Sequence, residues 1–223
     1  MIPSRGHLFF VDRLDAPELT AGDAHHAARV LRLRVGEELT VADGRGAWRR
    51  ANWTGSTLEP AGDVRREPRA SPVLSVGFAL VKGSKPELVV QKLTELAIDR
   101  ILPFVAERSI VRWDDAKAGR AHERLVATAR EAAMQSRRAW LPEVCEVTSF
   151  EAAAVDAVRA DRGGRALRAD DTTVLVGPEG GWAERECGAV PEAVSLGPGV
   201  LRAETAAVAA GLLMIAVREG LLH

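Results

Sequence analysis

The stretch VLVGPEGGW, residues 174 to 182, ends an apolar run on a proline, an acid and three glycines. A short branched-apolar run bounded by Gly-Pro reads as a buried strand. The glycines after it mark either a tight turn or a loop whose backbone approaches a ligand, because glycine lacks the Cβ that would hold the ligand off. A second loop, LGPGVLRAET at 196 to 205, likewise joins a strand to a helix. In an open α/β sheet, ligands sit beyond the C-terminal ends of strands, where both loops fall.

Two familiar phosphate-binding modes are excluded. No Walker sequence G-x-x-x-x-G-K-[ST] occurs in the chain. GPGVLR, 197 to 202, begins like a dinucleotide fingerprint, but Arg202 stands at the third glycine, where the helix must pack on its strand. The helix that follows carries Ala203, Ala206, Ala207, Ala210 and Gly211, a face of small residues that lets another backbone come close.

Outward from these loops the chain alternates strands and helices. VLSVGFAL reads as a strand; Ser84 and Glu87 form a capping box, with Pro86 in the first turn, for a helix over 86 to 98. RILPFVAER is the next strand, followed by a helix over 114 to 136 with Leu125, Ala129 and Ala132 on one face. Thr148 or Ser149 caps a helix near 149 to 160, then come the strand TTVLVG, the short helix WAERECGAV, the strand AVSLG and a final helix over 204 to 219. This alternation predicts a parallel α/β sheet covered on both faces. Residues 1 to about 68 differ: HLFFV, EELTVAD and AWRRANWT, separated by glycine turns, predict a small β-barrel, interrupted by a helix at DAHHAARVL with Asp23 as N-cap. REPRASP, 66 to 72, is the linker, giving domains 1–70 and 71–223.

A chain of 223 residues has room for two cores, and 47% hydrophobic residues with a net charge of −1 describe an ordinary soluble globular protein. Residues 1 to 142 hold 23 Lys/Arg against 18 Asp/Glu, and residues 143 to 223 hold 7 against 13. A basic part is thus masked by an acidic one. Within it Arg29, Arg32, Arg34, Arg45, Arg49 and Arg50 either meet phosphates or form a solvated face. Trp48 and Trp53 stack on bases or, the better reading, pack a core. Cys145 and Cys187 form no CxxC and have no histidine cluster beside them, so no disulfide framework and no metal are expected, and a reducing cytoplasm is the expected location. MIPSRGHLFF lacks the apolar core of a signal peptide, and AAVAAGLLMIAV, 206 to 217, is too short to span a bilayer, so no membrane partner is expected.

Five stretches in order, HHAARVLRLRVGEELTVADGRG, KGSKPELVVQKLTELAIDRILPFVAERS, EAAMQSRR, VGPEGGW and SLGPGVLRAETAA, resemble the ribosomal RNA small subunit methyltransferase E family of the SPOUT superfamily. The resemblance covers nearly the whole chain. It implies a PUA-like β-barrel followed by an α/β domain with a C-terminal deep trefoil knot, a rare exception to ordinary chain connection. It implies S-adenosylmethionine as cofactor, bound by Gly177, Glu179, Gly180, Gly181, Leu196, Gly197 and Leu201, and a homodimer around the sites. It implies methylation of uracil N3 in 16S ribosomal RNA within the small ribosomal subunit. Departures from the family pattern are Gly199 where arginine is frequent, Ala97 and Arg137 where glycine is frequent, and Ala183 in place of an N-cap serine.

For that chemistry N3 must lose its proton and the developing anion must be stabilised. Glu95, Glu179 and Glu204 are candidate acceptors; Arg202 and Arg138 are candidate stabilisers, with Arg202 and Glu204 preferred at the second loop. An internal Arg202–Glu204 structural pair is the competing reading. His26, Arg29, Arg32 and Arg34, with Lys82 and Lys85, are the expected RNA phosphate contacts. Two other functions remain open: a SPOUT methyltransferase of transfer RNA acting at a ribose 2′-oxygen, and a non-catalytic RNA-binding protein with a vestigial knot.

Overall fold

The computed structural model describes residues 2–3, 6–81, 83, 85–111 and 113–222, with Asp115 through its backbone only. The chain divides into two compact units, Met1–Ala70 with Arg130–Leu141, and Ser71–Ala129 with Pro142–His223. Segment 130–141 thus joins the first unit, although division by sequence order would give it to the second.

In the first unit β1 (Leu8–Phe10), β2 (Glu38–Ala42), β3 (Ala47–Trp53) and β4 (Leu58–Arg66) form a sheet in that order. β1 runs parallel to β2 and the other pairs are antiparallel. Strand alternation sends Phe9, Val41 and Trp53 into one core and Phe10, Ala42 and Trp48 into another. Both tryptophans are 2% exposed, so they are core residues with no face left for a base. Segment 130–141 completes the second core with Ala133 and Ala139, and Trp140 donates from Nε1 to the Glu67 carbonyl at 3.0 Å. β4 was not legible: it is mostly exposed and contains Pro60 and Gly62, which an edge strand tolerates, and it takes up Arg66 of the expected linker.

Between β1 and β2 lies α1 (Ala21–His25), running on into a π-helical turn, His26–Val30. Its N-cap is Thr20, whose Oγ1 accepts from the Asp23 N–H at 3.1 Å; Asp23 is not the cap. The Asp23 carboxylate is buried and accepts from Arg130 at 2.7 Å.

The second unit contains β5 (Ser75–Ala79), α2 (Lys85–Glu95), β6 (Arg100–Val105), most of α3 (Asp115–Gln135), β7 (Glu143–Val144), β8 (Thr148–Ser149), α4 (Phe150–Ala153), β9 (Val158–Arg165), β10 (Thr173–Val176), α5 (Glu184–Ala189), β11 (Ala193–Val194) and α6 (Ala203–Arg218). The sheet order is β11-β9-β10-β5-β6-β7, with β8 also on β6, and every pairing is parallel. On one face Val76, Phe78, Val174 and Val176 meet Leu93 of α2, Leu125 of α3 and Ala207, Ala210 and Met214 of α6. On the other, Ala79, Phe104 and Leu175 meet Phe150 of α4 and Val190. The small face of α6 seats it on α2: a Cβ at Gly211 would lie 2.6 Å from Leu93 Cδ2. The Ser84 half of the expected capping box falls outside the described residues.

The helix expected over 149–160 is replaced by the four residues of α4, capped by the Ser149 Oγ, and by β9. VRADRGGR has a single branched apolar residue, so its strand state comes from parallel pairing of Val158 with Val174 and not from its own pattern. Gly164 is the glycine this arrangement requires, since a Cβ there would lie 2.6 Å from the Val194 backbone.

α2 and α3 end alike. Ala97 (φ +69°) and Arg137 (φ +55°) are left-handed, with the Ile98 N–H bonded to Leu93 O and the Arg138 N–H to Ala133 O, each at 3.0 Å. Glycine is favoured at this C′ position because a side chain costs about 1–2 kcal/mol there. Ala97→Gly is therefore expected to stabilise the chain by about 1 kcal/mol, raising the melting midpoint by roughly 2–4 °C. A lowered midpoint would show that the position carries no such strain.

Candidate active site

The two glycine loops meet. In the second unit a cavity of about 230 Å³ is bounded by Gly177, Glu179, Gly181 and Trp182 of the first loop, Leu196, Gly197 and Leu201 of the second, Asp161 and Arg162 of β9, and Ala203 and Ala206 of α6. Six of the seven residues expected to touch the cofactor line it.

Gly180 does not line it. A Cβ there would sit 3.3 Å from Arg108 Cβ, and the Gly180 carbonyl accepts from the Arg108 guanidinium at 3.3 Å, so this glycine faces the segment after β6. Gly177 is required by its neighbour: a Cβ would meet the Trp182 indole at 2.9 Å. Trp182 lies parallel to Phe104 with ring centroids 6.2 Å apart, is tilted against Phe150, and donates from Nε1 to the Ala160 carbonyl at 3.0 Å. The first loop is thus pinned to the sheet by one aromatic residue. The second loop turns on Gly197, whose φ of +136° is open to glycine alone.

Electrostatics at the rim centre on Lys85. Its ammonium lies 3.1 Å from Glu204 and 3.7 Å from Glu179, tying the start of α6 to the first loop. This occupies Lys85 with carboxylates, where the sequence assigned it to RNA phosphate. Glu204 is held below the usual carboxylate range, first by its own backbone N–H at the helix start and then by Lys85. Its ion pair is therefore with Lys85, and Arg202 stands exposed at the N-cap of α6. Glu95 is turned to Lys92 at 2.8 Å and does not line the cavity.

The remaining expected residues belong to the first unit or lie outside the description. His26, Arg29, Arg32 and Arg34 are all exposed on or just after the π-helical turn, and Arg138 follows the end of α3. Lys82 is outside the described residues. Sequence reasoning missed Asp161, Arg162 and Trp182, and gave Ala203 and Ala206 only a packing role. The NH-donating Trp182 had a signal, its place directly after GPEGG; β9 had none.

Chemically, the cavity offers apolar walls from Leu196, Leu201, Ala203 and Ala206 and backbone polar groups from two glycine loops, with Asp161 and Glu179 against Arg162 among its charges. That lining suits a flat apolar ring with polar edges and a cationic group. Among the described residues no cluster of His, Cys, Asp or Glu could hold a metal ion, and no helix is long and apolar enough to cross a membrane.

Comparison with known proteins agrees with the geometry. The family profile of an RNA methyltransferase domain matches residues 69–215, and that of an RNA methyltransferase PUA domain matches residues 19–53. The chain is 35% identical to the ribosomal RNA small subunit methyltransferase E of Mycobacterium bovis, over 91% of this chain and 88% of that protein. It is 29% identical to the protein of the same name from Bacillus subtilis, over 84% and 85%. Among solved structures it resembles a Legionella pneumophila putative methyltransferase in complex with S-adenosylmethionine (TM-score 0.84, 25% identity, 95% of this chain and 98% of that one). It also resembles the Neisseria gonorrhoeae ribosomal RNA small subunit methyltransferase E bound to S-adenosylmethionine (TM-score 0.79, 26% identity, 96% and 98%).

Proposed function

The chain belongs to the ribosomal RNA small subunit methyltransferase E family, and from that premise we propose that it methylates 16S ribosomal RNA in the small ribosomal subunit, at N3 of one uridine, using S-adenosylmethionine. The observation that carries this reading is the convergence of both glycine loops and the start of α6 on one cavity.

The residues present fit the cofactor. Gly181 and Gly197, where a Cβ would meet nothing within 4 Å, give close backbone approach, Leu196 and Leu201 flank a ring, and Glu179 and Asp161 favour a positive charge. The cofactor supplies a methyl group made electrophilic by its sulfonium. The protein's part is to position the two reactants in line and to manage the imide proton. Glu204 stays ionised beside Lys85, so it orders the rim as an anion and accepts a proton only when N3 is pressed against it. Arg202 is the exposed cation next to it, assigned to the charge that develops on the uracil oxygens. His26, Arg29, Arg32 and Arg34 of the first unit are the phosphate contacts of this reading, in a cytoplasmic enzyme.

The return of the chain from the edge strand β11 to α6, packed on α2 and β5, supports a SPOUT-type trefoil knot. A homodimer is supported by Val200, Leu201 and Leu212, apolar residues exposed by 79%, 39% and 53% on or just before α6.

Mass spectrometry of ribosomal RNA from a deletion strain is expected to show one 3-methyluridine lost from 16S RNA and restored by the wild-type gene. Arg202→Ala should restore it poorly, with the single-turnover rate lowered on the order of 100-fold at saturating small subunits and RNA affinity unchanged. A methyl group lost from transfer RNA or from a ribose oxygen would overturn the reading, as would unchanged RNA.

A further inference from the structure

The first unit holds a second, larger cavity, of about 580 Å³, bounded by β1, α1 and the end of α3. Of its lining residues the methyl-transfer reading uses only His26. Phe9, Leu31 and Met134 give it an apolar floor, and His7, His26 and Gln135 put polar edges around that floor. Its lining charges are two of each sign: Asp23 is neutralised by Arg130 at 2.7 Å, and Glu131 and Arg137 line it as well. A phosphate has no excess cation there, whereas a neutral flat ring with hydrogen-bonding edges does fit.

One feature favours nucleic acid beside it. The exposed arginines Arg29 and Arg32 lie on and just after the π-helical turn that carries His26. Arg32 (φ +53°) and Arg137 (φ +55°) are both left-handed, a conformation that costs a side chain about 1–2 kcal/mol. Arg137 takes that conformation as the C′ residue of α3, as Ala97 does for α2, and this cavity-lining arginine donates from its guanidinium to the Pro3 carbonyl at 3.0 Å.

We propose that this cavity receives one unstacked base of the RNA substrate, with the neighbouring phosphates on Arg29, Arg32 and Arg34. The site is separate from the methyl-transfer cavity and rests on the reading that the substrate is RNA. It would anchor folded RNA through a splayed-out nucleotide distinct from the methylated one.

Gly22 provides the test. It lines the cavity in helical conformation, and a Cβ there has only Thr20 Oγ1 nearby, at 3.9 Å. Gly22→Phe should fill the cavity without backbone strain, and Gly22→Ala should leave it open as a control for folding. Gly22→Phe is expected to weaken binding to small ribosomal subunits about tenfold, the size of one lost base-stacking contact. The slope of affinity against salt should stay at its wild-type value, and so should S-adenosylmethionine affinity. Changing Arg29, Arg32 and Arg34 together to alanine should instead flatten the slope. Wild-type affinity in a folded Gly22→Phe variant overturns the proposal while leaving the enzyme's function standing. NMR titration of the wild-type protein with the four nucleoside 5′-monophosphates tests it without the ribosome: shifts at the Met134 methyl and the His26 ring are expected. Their absence with all four overturns the proposal even if no methylation is ever found.

Discussion

Replacing Arg218 with alanine is expected to destabilise the second unit by about 3–5 kcal/mol, the cost of leaving a buried carboxylate without its partner. Arg218 and Asp99 are each 7% exposed at their side chains and pair at 2.8 Å. The same Asp99 oxygen accepts from the Leu74 N–H at 3.0 Å. The pair therefore fastens the last turn of α6 to the residues that lead into β5 and β6, at the end of the sheet opposite the glycine loops. At roughly 2–4 °C per kcal/mol, the melting midpoint should fall by about 6–20 °C. Arg13→Ala, which removes a fully exposed pair with Asp15, should leave it within a degree or so. Asp99→Asn combined with Arg218→Met keeps an acceptor for the Leu74 N–H and removes both charges, and should recover most of the loss. If Arg218→Ala melts with the wild type, the pair does not fasten the helix.

That pair was invisible in the sequence, since Asp99 and Arg218 are separated along the chain by most of the sheet and no spacing links them. What could be read was local. Branched apolar runs gave β5, β6 and β10, a capping pattern gave α2, apolar spacing gave α3, and a face of small residues marked α6. Elements formed by partners could not be read: β4 and β9 are polar strands held by their neighbours, and the Asp23 carboxylate, which resembles a cap, is drawn instead to Arg130 in a segment more than a hundred residues on. The candidate site shows the same division. Glycines announced both loops because backbone constraint is written in residue type, and the resemblance to the family tied those loops to one cofactor. The direction each glycine faces is set by tertiary contact, so Gly180 was grouped with Gly177 and Gly181 although it turns to Arg108. Lys85 read as a phosphate contact because its carboxylate partners, Glu179 and Glu204, come from distant loops.

The direction of those side chains decides the second large effect. Ala206→Phe is expected to weaken S-adenosylmethionine binding by roughly 100-fold, or about 2.8 kcal/mol, because an aromatic ring grown from α6 would occupy the space between the two glycine loops. Ala206 is half-buried and lines the cavity, whereas Ala207 and Ala210 on the same helix are fully buried in the core, so only the former can be enlarged toward the ligand without overpacking the sheet. The helix itself should lose little, since phenylalanine costs about half a kcal/mol of propensity against alanine. Gly180→Ala is the matched comparison: its new methyl group would stand 3.3 Å from Arg108 Cβ, away from the cavity, and should change cofactor affinity by no more than about twofold. Calorimetric titration of both variants, with thermal melts to establish folding, separates the two positions. If Ala206→Phe binds as the wild type does while Gly180→Ala loses affinity, the cofactor lies on the Arg108 side of the first loop, and the cavity between the loops serves something else.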